Sequence, residues 1–162
     1  MPRQAGQVAH VERLGPHEMH PKHIFATAQT FRRAYVLCRG DGNAVQEGRT
    51  NEIIPAIVCL ALAIELALKA HLALSVARPY GHKLDELFQE LPPSDQDAVI
   101  TAAGIEETSF RSNLTLAANA FVEWRYIYES ARGKSIDELF LNWLWYGLEQ
   151  EALRKQVALQ TA

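Results

Sequence analysis

Between Asn51 and Val76 the chain is apolar on nearly every side of a helical wheel, and this segment constrains the fold more than any other. A helix without a polar face has two settings, the centre of a bundle or a lipid bilayer. Its longest uncharged run closes before Glu65, and Lys69 and His71 follow. A spanning helix needs about 20 apolar residues in sequence. The segment therefore reads as a core helix. Pro55 is compatible with it because it falls in the first turn.

No strand-like alternation of useful length occurs elsewhere, so the reading is all-α. Residues 1–19 are polar and predict a mobile tail with no apolar leader. Pro21 opens the first helix, capped at His20 or the residue before it. Its stripe is Ile24, Phe25, Ala28, Phe31 and Tyr35, ending near Cys38, and Gly40, Gly42 and Gly48 mark a loop. After the core helix, Arg78 to Gly81 predicts a break. Leu84, Leu87, Phe88 and Leu91 predict a short helix stopped by Pro92 and Pro93. Ser94 with Asp97 resembles a capping box for another short helix, ending at Gly104.

The fifth segment, Phe110 to Ala131, places Phe110, Leu114, Ala117, Phe121, Trp124 and Tyr128 on one helical face. Arg125 lies on or beside that face. A guanidinium there requires a paired partner, so a buried carboxylate is expected. Gly133 separates this segment from a last helix running to about Arg154, with Ser135 and Glu138 as its predicted capping box. The result is an up-and-down bundle of four principal and two short helices over residues 20–158. Its second and fifth helices should pack antiparallel. The last helix carries more aromatic surface than one core face needs, which suggests a homodimer seam.

The chain has 162 residues and a formal net charge of -3. That size suits one domain, and that charge disfavours blanket duplex-DNA binding. Cys38 and Cys59 lack zinc-site spacing and form no disulfide framework. An intracellular, cytoplasmic setting is expected. The histidines His10, His17, His20 and His23 have few nearby carboxylates, so no metal site is expected, and no cofactor loop is present.

Three pieces taken together resemble a known family: ELALKAHL (Glu65 to Leu72), GHKLDELFQELP (Gly81 to Pro92) and FVEWRYIYE (Phe121 to Glu129). Their order is similar to that of the HEPN superfamily, the "higher eukaryotes and prokaryotes nucleotide-binding" helical bundles. The resemblance covers residues 20–155. It implies dimerisation, association with RNA or nucleotides, and a role in stress response, phage defence or a toxin–antitoxin pair. A nucleotidyltransferase antitoxin is one implied partner. Many members are metal-independent endoribonucleases marked by an Arg, four to six residues, then a His. Arg125 matches the arginine, but positions 130 to 132 are Ser130, Ala131 and Arg132. Arg3 to His10 and Arg13 to His20 have comparable spacing only within the tail.

Two readings remain for each polar group. Glu65 and Lys69, spaced i, i+4, form a packing clamp or the floor of a phosphate pocket. Arg125, with Tyr128 and Glu129, forms an internal ion pair or a phosphate site where Tyr126 or Tyr128 stacks a base. His82 caps the third helix, or acts with Arg125 as the base and the phosphate stabiliser of a divergent endoribonuclease. His71 reads as a packing histidine. The expected pocket is Lys69, His82, Arg125 and Tyr128, with Glu65 orienting the cations. A non-catalytic interaction scaffold is the remaining alternative.

Overall fold

A computed structural model describes residues 20–40, 52–75, 79–129 and 135–156. The tail, Gly42, Gly48, Asn51, Val76, Arg78, Ser130 to Gly133 and residues 157–158 lie outside these, so the expectations placed on them do too. Among the described residues all regular structure is helical. The helices are α1 (Pro21–Arg39), α2 (Ile53–Leu72), α3 (Leu84–Gln89), α4 (Pro93–Ala103), α5 (Glu107–Leu116), α6 (Ala120–Arg125) and α7 (Glu138–Arg154), with a 3-10 turn at Ile127–Glu129.

Helix α2 is the bundle's central member and packs against α1, α3, α6 and α7. It is the one described helix long and apolar enough to cross a membrane. Leu60, Ile64, Ala67 and Leu68 are fully enclosed by the other helices. Phe25 of α1 meets the edge of His71 on α2 and stacks on Trp145 of α7, with centroids 6.1 and 5.8 Å apart. At the other end of α1, Tyr35 and Arg39 both reach Glu138 at the start of α7. Helix α1 therefore runs antiparallel to both α2 and α7. Phe88, Phe110 and Phe140 form a chain of ring contacts at 5.2 and 5.4 Å that joins α3, α5 and α7. Helices α4 and α7 come so close at Gly147 that a Cβ there would lie 2.5 Å from the Val99 carbonyl oxygen.

Three local expectations are corrected. The fifth segment is not one helix, because a turn at Ala117–Asn119 divides α5 from α6. The Ala118 carbonyl accepts from the Leu84 amide at 2.9 Å, a tertiary bond that substitutes for the helical one. Helix α4 starts at Pro93 with Pro92 as its cap residue, so Ser94 and Asp97 are not its box. Asp97 is exposed and Asp95 is committed to Lys155. Helix α7 is capped by Asp137, whose carboxylate accepts from the Phe140 amide at 2.9 Å. Glu138 is drawn instead to Tyr35 and Arg39, each donating at 2.7 Å, so it cannot close a box with Ser135.

Candidate functional site

The fourth turn of α2 buries Glu65, whose side chain is only 3% exposed. An isolated carboxylate at that depth is costly and must be paired. Lys69, one turn on, donates Nζ to Glu65 Oε1 at 2.8 Å. The same oxygen lies 2.9 Å from His82 Nδ1, which arrives from outside the helix. Among the described residues Glu65 Oε2 has no hydrogen-bond partner.

The approach of His82 depends on the segment between α2 and α3. Gly81 adopts φ +108°, a conformation an L side chain rarely takes. Two residues after His82, the Leu84 amide anchors the chain to the Ala118 carbonyl. The same hydrogen bond thus interrupts the fifth segment and fixes the chain that carries His82. The cap residue of α3 is Lys83, and the Glu86 amide in the first turn donates to Asp85, so His82, engaged with Glu65, is not the cap.

The geometry sets the chemistry of the ring. A carboxylate oxygen already holding an ammonium acts as an acceptor, so Nδ1 carries the proton and donates. In the neutral imidazole Nε2 then keeps the lone pair. The His82 side chain is 63% exposed. Orientation of a histidine by a carboxylate on its other nitrogen is a common way to prepare it as a proton acceptor or hydrogen-bonding group.

Arg125 stands apart from this group. It is exposed at the end of α6, about 8 Å along the helix axis from Ala120. Its guanidinium donates to the Tyr126 hydroxyl and lies over the Tyr126 and Phe121 rings, 4.4 and 5.2 Å from their centroids. Among the described residues it forms no ion pair with Glu65 or Glu129. The expected internal Arg–carboxylate bond is therefore corrected: breaking the segment at Ala117–Asn119 turns the end of α6 towards solvent. Tyr128 is exposed and hydrogen-bonds Glu129, which raises its hydroxyl above the ordinary tyrosine value. The Tyr126 and Tyr128 rings sit 6.4 Å apart. Arg125 and these tyrosines thus form a surface platform of π faces and one cation.

His71 is a packing residue. Its Nε2–H donates to the Leu148 carbonyl at 3.0 Å, while Nδ1 is buried without a partner. Burial holds it below the ordinary histidine value, and nearby Lys155 lowers it further, against raising contributions from the Leu148 bond, Glu151 and Asp95.

The structure brings together Glu65, Lys69 and His82. It places Arg125, Tyr126 and Tyr128 in a separate surface group, and leaves Glu129 with Tyr128. The expected pocket grouped Lys69 and His82 around Glu65, as the structure does, but added Arg125 and Tyr128, which the structure holds in the separate surface group. Comparison with known proteins adds no relative: no family model, curated protein or solved structure matches the chain.

Proposed function

We propose that this chain is a HEPN-like RNA- or nucleotide-binding module, of the kind that serves bacterial stress response or phage defence as one half of a toxin–antitoxin pair. The reading rests on one observation: an exposed imidazole whose Nδ1 is fixed by a buried carboxylate, leaving Nε2 open. A packing clamp is complete with Glu65 and Lys69, and the histidine adds to it an exposed acceptor nitrogen. A phosphate oxygen near Lys69 and His82 gains a cation and a ring donor when the imidazole is protonated. The Arg125–Tyr126–Tyr128 platform offers π faces on which bases stack. In this reading the chain works as a homodimer. Leu139, Trp143, Tyr146 and Leu153, exposed at steps of four, three and seven along α7, form its self-complementary seam.

The test is binding of a fluorescent oligouridylate and of a mononucleotide to wild type, His82→Ala and Tyr126→Ala/Tyr128→Ala. The reading expects His82→Ala to weaken both ligands and the tyrosine variant to weaken mainly the oligonucleotide. Unchanged affinities in both variants would refute it.

A second reading is favoured by the same oriented imidazole. His82 Nε2 takes the proton of a ribose 2′-hydroxyl, the 2′ oxygen bonds phosphorus, and the P–O5′ bond breaks. The products are a 2′,3′-cyclic phosphate and a 5′-hydroxyl end, whose proton comes from solvent. RNA cleavage in EDTA, lost in folded His82→Ala, would establish this activity. Intact RNA with tight binding would leave the module a binder.

A further inference from the structure

Apart from Arg125, which lies over the Phe121 and Tyr126 rings, the described lysines and arginines sort into two groups. Arg39, Lys69, Lys83, Arg111, Arg154 and Lys155 each lie within ion-pair distance of a carboxylate. Lys22, Arg32 and Arg33, all on α1, have no carboxylate partner among the described residues. Helix α1 contains no Asp or Glu from Pro21 to Arg39. Without its four cations, the rest of the chain has 12 Lys and Arg against 19 Asp and Glu. A helix free of acids in an otherwise acidic chain concentrates positive potential on one side.

The geometry of α1 keeps Lys22 and Arg33 fully available and Arg32 partly so. Lys22 and Arg33 are exposed and eleven residues apart, which is close to three whole turns. They therefore share one stripe and stand about 16 Å apart along the axis. Arg33 is steadied by a bond to Thr30 Oγ1 at 3.0 Å. The Arg32 guanidinium lies 4.5 Å over the Tyr35 ring, and its Nη1 is buried with no acceptor. The carboxylate that meets this helix at its C-terminal end, Glu138, is already engaged by Tyr35 and Arg39.

We infer that the outer face of α1 is the track for the phosphate backbone of single-stranded RNA, with Lys22, Arg32 and Arg33 as its contacts. The inference rests on the RNA reading above and adds a second surface to it. Charge complementarity selects a polyanion, because unpaired cations along a helix are the footprint of phosphate contact. An anionic lipid surface suits α1 less well. A helix lying in a membrane interface needs a free apolar face, whereas Phe25, Ala28 and Tyr35 are committed to the core. The acidic remainder of the chain disfavours a rigid duplex, which would carry its charge across a wide surface.

The test measures affinity for a labelled oligouridylate across a salt series. It compares wild type, Lys22→Gln/Arg33→Gln, the triple variant adding Arg32→Gln, and His82→Ala. The double variant alters only exposed side chains, so the test survives any folding cost at Arg32. Three lost contacts should reduce the slope of log K against log salt by about 2, and two by about 1.4. His82→Ala should weaken binding with a smaller change in slope. Wild-type slopes in both α1 variants, beside weakened His82→Ala, would overturn the α1 track and leave the RNA reading standing. Absence of RNA binding by wild type would overturn both. Binding to phosphatidylserine vesicles that depends on Lys22 and Arg33, with RNA affinity unchanged, would assign the face to lipid and overturn the inference.

Discussion

Glu65 on α2 and Glu151 on α7 are both buried carboxylates with a lysine four residues on, and they differ in what completes the group. Glu65 pairs with Lys69 at 2.8 Å and then turns the same oxygen to an exposed histidine on a separate segment. Glu151 pairs with Lys155 at 3.6 Å and also with Arg154, while Lys155 reaches across to buried Asp95 on α4. Through Lys155 the second group ties α4 to α7, with Arg154 on its solvent side. The first has His82 on its solvent side. The comparison teaches that buried charge alone does not mark function. Arg154 is as exposed as His82, so what distinguishes the two is the chemistry of the exposed member: Arg154 offers only donors, two of them held by Glu151, whereas His82 keeps an acceptor nitrogen.

The comparison can be broken most forcefully at Glu151. Glu151→Ala removes a buried carboxylate from Lys155 and Arg154, and because Lys155 keeps Asp95 and Arg154 is mostly exposed it should lower stability by about 1.5–3 kcal/mol. Urea denaturation would measure it, and a loss below about 1 kcal/mol would show that the group is not a structural tie. Gly147→Ala at the same helix contact should cost about 1–3 kcal/mol, because the new Cβ must push Val99 away. The thermal midpoint should fall with RNA affinity preserved in the folded protein.

A smaller effect comes from His71, which lies between the Glu151 group and the core. Its folded value is depressed from the ordinary 6.5, so the unfolded chain binds the proton more readily. The stability it contributes is fully present above pH 6.5 and is lost as pH falls through the lower folded value. Denaturation midpoints should drop more steeply below pH 6.5 in wild type than in His71→Gln. Lys155, Glu151 and Asp95 face the same ring and are retained in both proteins. The smallest stability effect is expected at the Glu65 group. His82→Ala should change folding free energy by less than about 1 kcal/mol, since the ring is mostly exposed. The same variant should weaken RNA or nucleotide binding. A large stability loss without a binding defect would make the Glu65 group a second structural tie.

Local rules made much of the fold legible. Pro21 marked the start of α1, Gly104 marked the end of α4, and the apolar α2 was recognisable as a centre. The fifth segment was misread because its helical spacing persists through a break imposed from outside. The Leu84 amide takes the Ala118 carbonyl, and no periodicity in residues 110–131 records that bond. The error at the site follows from the same cause. A continuous helix would keep Arg125 beside the core and make it a natural partner for Glu65. Once the helix breaks, Arg125 faces solvent, and His82 occupies the position expected for it. Glu65 and Lys69 were legible because one helix carries both at i, i+4. Their link to His82 spans 17 residues and depends on a left-handed glycine, so no spacing rule supplies it. The unpaired cations of α1 had a visible signal, an acid-free helix, which gained meaning only when the other described cations proved almost all to have partners.

The most direct measurement is the nitrogen NMR spectrum of the histidine rings, recorded with and without oligouridylate. In the free protein, the neutral His82 ring should carry its proton on Nδ1 and leave Nε2 unprotonated. Added RNA should shift the Nε2 resonance of His82 and leave His71 unchanged. An Nε2–H tautomer at His82, or RNA binding that moves neither of its nitrogens, would contradict the account.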